Sequence, residues 1–455
     1  MKKFDHIIIG FGKGGKTLAG ALAKAGQTVA MVERSSAMYG GTCINVACIP
    51  TKYLENQSKA AEAAGGSFPE KQQRYRKAIE GKRKLTSGLR QKNFEKLDLQ
   101  AGVEVITGAG RFTDSRHVEV TMADGSVELL EGDRIFINTG SRPFIPPIEG
   151  IKESRFCYTS DTMMELEQLP KRLLVIGGGY IGLEFASIYA NFGSEVTIVQ
   201  DGPEFLPRDD GEVAAEVAGT LEARGIRIVK GARIKSVADG ENTVKLTADT
   251  PEGVFEAEAE AILVATGRRP NLEGLNVEAA GVELTPQGAV KVDEGLRTSV
   301  PHIWAMGDVK GGLQFTYISL DDSRIVISQI LGDGGRTTEN RGEVPFSVFV
   351  DPPFSRIGMN EAEARAAGYN VKVGRLKVST IPRAKLLDRP AGLMKAVVDA
   401  DTGKVLGVQL FCSDSQEMIN MVKVVMNAGL PYTVLRDGIF THPTMSEAMN
   451  DLFAI

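Results

Sequence analysis

A glycine fingerprint that closes a short apolar strand and opens a helix constrains this chain more than any other feature, and it occurs twice. In the first copy Asp5–Ile9 runs into Gly10-Phe11-Gly12-Lys13-Gly14-Gly15, a helix is expected through Ala25, and a second strand, Thr28–Val32, ends at Glu33. Gly10 permits the tight turn, Gly12 lets the backbone approach a pyrophosphate, and Gly15 lets helix and strand pack closely. The anion then sits at the helix N-terminus, where free N–H groups and the dipole favour negative charge. Alone the motif is weak, since any glycine-rich turn can match it. The strand before it, the helix after it and Glu33, placed to accept hydrogen bonds from a ribose, point to a bound dinucleotide.

The second copy joins the strand Arg172–Ile176 to Gly177-Gly178-Gly179-Tyr180-Ile181-Gly182, with a helix expected to Asn191 and a strand over Glu195–Val199. Gln200 stands where the first copy has Glu33. A carboxylate there would repel a ribose 2′-phosphate, so its absence tilts the choice toward NADPH over NADH, and the nearby Asp201 and Glu204 keep that tilt slight. Two similar apolar strands ending in Thr-Gly, Ile135–Gly140 and Ala261–Gly267, suggest that one unit is inserted in the other. From about Val344 the pattern becomes strands (Phe346–Val350, Val371–Val378, Met394–Asp399, Val405–Leu410) and a helix, Glu417–Ala428, the texture of an α+β domain. Between Glu55 and about Leu97 the polar, charge-rich sequence suits long amphipathic helices.

The expected fold is therefore α/β, with two Rossmann-like dinucleotide-binding domains and a C-terminal α+β domain. The first would be discontinuous over 1–147 and 268–340, the second would span 148–267, and the third 341–455. A chain of 455 residues is long enough for such an arrangement. Its net charge of −5, scattered in both signs, offers no basic footprint for nucleic acid or an anionic membrane. No apolar run approaches the ~18 residues of a membrane helix, and the N-terminus does not resemble a signal peptide. A cytoplasmic location is expected.

The four cysteines stand at 43, 48, 157 and 412, too few for a secreted disulfide scaffold. Cys157 and Cys412 read as packing residues. Cys43 and Cys48 lie in Gly40-Gly41-Thr42-Cys43-Ile44-Asn45-Val46-Ala47-Cys48-Ile49-Pro50-Thr51-Lys52, just after the first unit. Five residues apart on an opening helix, two sulfurs can close a small ring, and a helix N-terminus lowers a thiol's pKa. A zinc site is the main chemical rival, though it needs two further ligands and no partner Cys/His pair at suitable spacing exists. Two unlinked core cysteines are the plainer alternative, but that reading leaves the preceding glycine pair unexplained.

With these motifs in hand, the sequence strongly resembles the flavin-dependent pyridine nucleotide–disulfide oxidoreductases, the family of glutathione reductase, lipoamide dehydrogenase and mercuric reductase. The resemblance spans nearly the whole chain and includes Gly-Gly-Thr-Cys-x4-Cys-x-Pro-Thr-Lys over 40–52, both fingerprints, Ile137-Asn138-Thr139-Gly140, Ala265-Thr266-Gly267-Arg268, Ala305-Met306-Gly307-Asp308 and His442-Pro443-Thr444-x-Ser446-Glu447. It implies a redox disulfide between Cys43 and Cys48, with Cys48 facing the flavin and Cys43 the exposed attacking thiol. It assigns FAD to Gly10, Gly12, Gly15, Glu33, Thr42, Lys52, Thr139, Gly140 and Asp308. NAD(P)H falls to Gly177, Gly179, Ile181, Gly182, Glu184, Gln200 and Gly267, with Lys52 and Glu184 as partners. His442, supported by Glu447, becomes the acid/base that serves the thiols of the other subunit of a homodimer.

Members of this family differ chiefly in the substrate channel. Mercuric reductases end in a vicinal cysteine pair, where this sequence has Asp451-Leu452-Phe453-Ala454-Ile455; lipoamide dehydrogenases usually carry His-Ala-His-Pro-Thr, where this one has Phe440-Thr441-His442-Pro443-Thr444. Together with Ile8–Lys13, Ala37–Asn45 and Ile439–Pro443, the loop Gly312–Asp322 is most similar to the bacterial hypothiocyanous acid reductases, the reactive-chlorine-resistance flavoproteins. That similarity implies reduction of hypothiocyanous acid to thiocyanate, in a channel narrowed by Phe315, Tyr317 and Phe440. Lipoamide dehydrogenase, a metal-ion reductase of the mercuric or cupric type, and a flavin-based redox sensor without turnover are the alternatives. Ala47 departs from the glycine that many relatives have before the second cysteine.

Overall fold

Strand β1 (Lys2–Ile9) is the centre about which the first sheet is built, because its last residues, Ile7–Ile9, are apolar and buried on both faces. In the computed structural model, which describes all 455 residues, backbone contacts divide the chain into two units. One comprises Met1–Leu54, Lys77–Phe144 and Gly267–Arg341; the other comprises Glu55–Arg76, Ile145–Thr266 and Gly342–Ile455.

In the first unit β1 is followed by α1 (Lys13–Lys24) and β2 (Val29–Glu33), then by two helices that carry the cysteines, α2 (Thr42–Asn45) and α3 (Cys48–Ala64). Helix α4 (Phe68–Asp98) comes next, and Gly65-Gly66 breaks the helical run before it. Strands β3 (Val103–Thr107), β4 (Ala109–Phe112), β5 (His117–Thr121) and β6 (Val127–Ile137) complete the sheet, in the order β3-β2-β1-β6-β5-β4. β1 pairs in parallel with β2, from His6 opposite Val29 to Ile9 opposite Val32, and with β6, where Ile7 faces Ile135 and Ile9 faces Ile137. The strand Ile303–Ala305 also pairs in parallel with the end of β6. Ile7, Ile9, Ile135 and Ile137 enter one buried cluster, while Ile8, Met31 and Phe136 enter another with Leu18 and Leu22 of α1. The period of two along buried strands thus fills a core on each face. All five parallel strands end on the same side, where the glycine turn, the cysteine segment and Asn138 lie next in the chain.

The second unit repeats the plan. Its parallel sheet runs in the order Arg227–Val229, Glu195–Val199, Arg172–Ile176, Ala261–Val264, Cys157–Tyr158. A three-stranded antiparallel sheet (Arg233–Asp239, Val244–Thr250, Gly253–Ala259) packs its apolar face into the same cluster. The C-terminal sheet is antiparallel, ordered Phe346–Val348, Phe354–Gly358, Val405–Phe411, Leu393–Asp399, Val371–Lys377, and the helix Ser415–Asn427 lies over it.

The strand Phe354–Gly358 has no counterpart in the sequence reading. Pro352 and Pro353 precede it, and Ser355 and Arg356 interrupt its apolar run, yet its first four residues are buried. Arg356 is tolerated there because its guanidinium pairs with Asp209 at 3.3 Å and with Glu363.

Candidate active site

The site begins where β2 gives way to the glycine pair. Gly41 has φ +83°, and a Cβ on it would lie 2.5 Å from Gly12 Cα, so the cysteine segment rests directly on the first fingerprint. Gly10 (φ +107°) meets the end of β6 as closely: a Cβ there would lie 2.3 Å from Asn138 O. Asn138 Nδ2 returns a hydrogen bond to Gly10 O at 3.0 Å. Sequence reasoning gave these glycines their roles but did not single out Asn138.

Cys43 stands second in α2 and Cys48 first in α3, both partly buried and both free thiols. The helix Thr316–Leu331 supplies a further partner, for Thr316 Oγ1 lies 3.3 Å from Cys48 Sγ. Hydrogen bonding from the Cys43 thiol, then Thr316, and then the Lys52 charge pull the Cys48 thiol down to about 6 against the opposing effect of burial. Cys43 is pushed up, by the hydrogen bond to Cys48 and by burial. Of the two sulfurs, Cys48 is therefore the one whose surroundings favour the anion. No group of three or more His, Cys, Asp or Glu side chains is placed to hold a metal ion.

The same helix reaches back to α1. Ser319 Oγ accepts from Gly14 N at 3.0 Å, and Asp322 Oδ2 accepts from Gly307 N at 2.8 Å. Neither Thr316 nor Ser319 was singled out within the loop Gly312–Asp322. The signal was available, since hydroxyls three apart at a helix start share a face. Phe315 and Tyr317 flank Thr316 with rings stacked at 5.1 Å and 10°. Burial and the Cys48 charge push the Tyr317 phenol up.

The residues expected to hold FAD fit an adenine dinucleotide. Glu33 ends β2 with its carboxylate accepting from Phe11 N (3.0 Å) and Ser35 N (3.2 Å), and burial raises its pKa. Thr139 Oγ1 is buried without a protein partner, a polar atom that a ligand group would satisfy. Asp308 Oδ2 accepts from Ser141 Oγ at 2.7 Å, and Ser141 in turn accepts from Arg268 Nε at 2.9 Å. Gly140 lies beside Thr42, whose Oγ1 would be 3.8 Å from a Cβ placed there.

In the second unit the fingerprint turn is built alike. A Cβ on Gly177 would lie 2.6 Å from Ala265 O, one on Gly182 would lie 2.1 Å from Gly177 O, and nothing stands within 4 Å of the one on Gly179. That opening is where a pyrophosphate would approach the backbone. Ile181 and Glu184 lie on the helix Tyr180–Phe192, and Glu184 Oε1 accepts from Phe349 N at 2.9 Å. Gln200 turns its amide nitrogen to Gly202 O (3.0 Å) and Glu204 O (2.8 Å), so this group is engaged by its own loop. Gly267 falls within the first unit. Tyr180, not foreseen as a site residue, stacks on Phe346 at 5.0 Å and donates to Asp209 Oδ2 at 3.2 Å.

His442 Nδ1 lies 2.8 Å from Glu447 Oε2, and the histidine side chain is 70 % exposed. Glu447 is itself held by Thr444 N at 3.3 Å. The carboxylate holds the ring through Nδ1 and leaves Nε2 unengaged by it. Cys412 is fully buried in the C-terminal core, and burial raises the Cys157 thiol.

A fold with two dinucleotide turns, one of them beside a close pair of cysteines, defines a flavoprotein disulfide oxidoreductase. Residues 4–323 match the family described as pyridine nucleotide-disulphide oxidoreductase, and residues 344–453 match that family's dimerisation domain. The chain belongs to this family, whose members use FAD and NAD(P)H. Among curated proteins it is 46 % identical to RclA of Escherichia coli (strain K12), described as a probable pyridine nucleotide-disulfide oxidoreductase, with both chains covered completely. It is 33 % identical to the mercuric reductase of Streptomyces lividans, covering 98 % of this chain and 94 % of that one. Among solved structures, the Cu(II) complex of the HOCl-induced flavoprotein disulfide reductase RclA from Escherichia coli superposes with a TM-score of 0.93 at 46 % identity, over 100 % of this chain and 99 % of that one. No helix is long and apolar enough to cross a membrane.

Proposed function

We propose that this enzyme reduces hypothiocyanous acid to thiocyanate and water, with NAD(P)H as electron donor and Cys43–Cys48 as the dithiol that meets the oxidant. The observation that carries the reading is the placement of the pair: the cysteine segment rests against the first fingerprint, and Thr316 Oγ1 lies 3.3 Å from Cys48 Sγ, the sulfur whose surroundings favour the anion. FAD, bound through Gly10, Gly12, Gly15, Glu33, Thr42, Lys52, Thr139, Gly140 and Asp308, supplies the two-electron reduction that opens the disulfide. The nicotinamide cofactor takes the second fingerprint. Residues 1–147 with 268–340, 148–267 and 341–455 serve as FAD, NAD(P)H and dimerisation domains.

The chemistry of the thiols then balances in two steps. Cys43, having passed its proton to Cys48, attacks the electrophilic sulfur of HOSCN as thiolate and forms a sulfur–sulfur bond as the S–O bond breaks; His442, from the other subunit of a homodimer, protonates the leaving oxygen to give water. Cys48 then returns its proton to the now neutral His442 as its Sγ attacks Cys43 Sγ, restores the disulfide and releases thiocyanate. Glu447 holds the His442 ring and stabilises its imidazolium between proton transfers.

Two observations favour this oxidant over a bulky disulfide. The relative at 46 % identity is induced by HOCl, and Phe315 and Tyr317 stack beside Thr316 where a wide channel would need smaller side chains. Gln200, neutral at the end of its strand, favours NADPH over NADH. Steady-state assays of purified enzyme test the choice: NADPH oxidised one for one with hypothiocyanous acid consumed supports it, whereas rapid lipoamide turnover with negligible hypothiocyanous acid turnover overturns it.

A further inference from the structure

One turn of α4 grips the redox segment from outside. Arg90 Nε donates to Asn45 Oδ1 at 2.8 Å, and Asn45 Nδ2 donates to Tyr39 O (3.0 Å) and Gly41 O (2.9 Å). Phe94 stacks on Tyr39 at 4.6 Å and 18°. Between them Asn93 Oδ1 accepts from Lys16 Nζ at 2.6 Å, and Lys16 Nζ also donates to Gly40 O at 3.3 Å, three residues before Cys43. Lys16 is on α1, one turn beyond Gly12.

A clamp of this kind needs no charge at its centre, yet a half-buried lysine occupies it with two neutral acceptors. Burial and then Lys13, on its own helix, push the ammonium down to about 8, and Lys96 of α4 acts in the same direction; the Cys43 sulfur alone draws it up. The reciprocal effect is that Lys16 favours the anion at Cys43. A desolvated cation with like charges on two helices is unfavourable unless an anion offsets it, and Lys16 Nζ is fixed on Gly40 O in the short segment that carries Cys43, whose sulfur draws the ammonium the other way.

We propose that Lys16 is a positioning residue of the dithiol, its ammonium fixed by Gly40 O and Asn93 so as to stabilise the negative charge when it passes from Cys48 to Cys43. The proton moves the opposite way, from Cys43 Sγ to Cys48 Sγ, so no other reactant is needed. The inference rests on Cys43–Cys48 being the redox pair.

The test is alkylation by iodoacetamide of the holoenzyme reduced anaerobically with NADPH, followed at Cys43 by peptide mass spectrometry from about pH 6 to about pH 9.5. Lys16→Met is expected to slow Cys43 alkylation about tenfold at neutral pH, the effect of about one pKa unit, and to converge with wild type at the alkaline end. Lys16→Arg retains a charge at every pH and is expected to stay within about twofold of wild type at neutral pH. Asn93→Asp keeps the hydrogen bond but sets a carboxylate against the ammonium, and is expected to slow Cys43 as well; a merely structural clamp predicts no slowing, so this variant decides the matter even if Lys16→Met fails to fold. Profiles of Lys16→Met and Asn93→Asp that superpose on wild type overturn the inference alone. If no cysteine becomes alkylated after NADPH, the redox pair itself is wrong and the inference falls with it.

Discussion

Replacing Thr316 by valine removes the hydroxyl beside Cys48 at nearly constant shape. A hydrogen bond to a charged group contributes about 1.5–3 kcal/mol, and about 1.4 kcal/mol corresponds to one pKa unit. The contact is 3.3 Å long, so the effect falls at the low end, about one unit. Cys48, held at about 6 in the native enzyme, would then titrate near ~7. At about pH 6.5 the thiolate fraction falls roughly threefold, and at about pH 8.5 it changes by only a few per cent. The assay is anaerobic two-electron reduction followed by pH titration of the long-wavelength absorbance that a thiolate beside oxidised flavin produces. The expected result is a midpoint moved upward by about one unit with the alkaline plateau intact. A midpoint that does not move would refute the claim that Thr316 helps to set the charge on Cys48, and so would a plateau lost at every pH.

Three further outcomes follow from the same geometry. Gly41→Ala drives a Cβ toward Gly12 Cα at a backbone conformation that alanine resists, and is expected to yield protein with little bound flavin, measured as the ratio of flavin to protein absorbance. Glu447→Gln keeps the shape of the His442 support but removes its charge, and is expected to lower kcat by at least about tenfold, with His442→Asn lowering it by about 100-fold or more in the oxidant half-reaction. In the C-terminal sheet Lys395, 5 % exposed, meets Asp210, Glu212 and Glu361 at 2.7, 3.0 and 2.9 Å. Lys395→Met leaves the buried Asp210 carboxylate without its cation, while Glu212 and Glu361 keep Arg375, and is expected to destabilise the fold by about 3 kcal/mol, read from denaturant unfolding. Lys395 first, then Arg365, hold the Glu361 carboxyl down to about 2 from an ordinary 4.5. Its stabilisation is therefore complete above about pH 4.5 and is lost as pH falls toward 2, and that acid limb should flatten in Lys395→Met.

The parts that sequence made legible are those in which local chemistry leaves few choices. A strand, three glycines and a helix admit one turn geometry, so both fingerprints and the parallel strands around them were readable to within a residue or two, as Arg172–Ile176 and Glu195–Val199 illustrate. The two cysteines behind a glycine pair were readable for the same reason, because Gly41 must lie against Gly12 for the segment to reach the turn. What escaped depends on long-range pairing. Phe354–Gly358 hides an inner strand behind two prolines and a buried arginine whose partner, Asp209, lies far away in sequence. Thr316 touches Cys48 across 268 positions, and Lys16 reaches Asn93 across 77, separations that no local pattern encodes. Gln200 shows the remaining gap: its position at the strand end was predictable, whereas the turning of its amide toward Gly202 and Glu204 required the loop that follows.

The central claim, that electrons enter the Cys43–Cys48 pair from NAD(P)H and leave it for a small oxidant, is most directly tested by counting thiols on the anaerobic, flavin-loaded enzyme. The account predicts that one equivalent of NADPH exposes a pair of thiols at Cys43 and Cys48, and that one equivalent of hypothiocyanous acid consumes both and returns the disulfide with release of thiocyanate. Thiols at these positions that neither appear with the nucleotide nor disappear with the oxidant would contradict it.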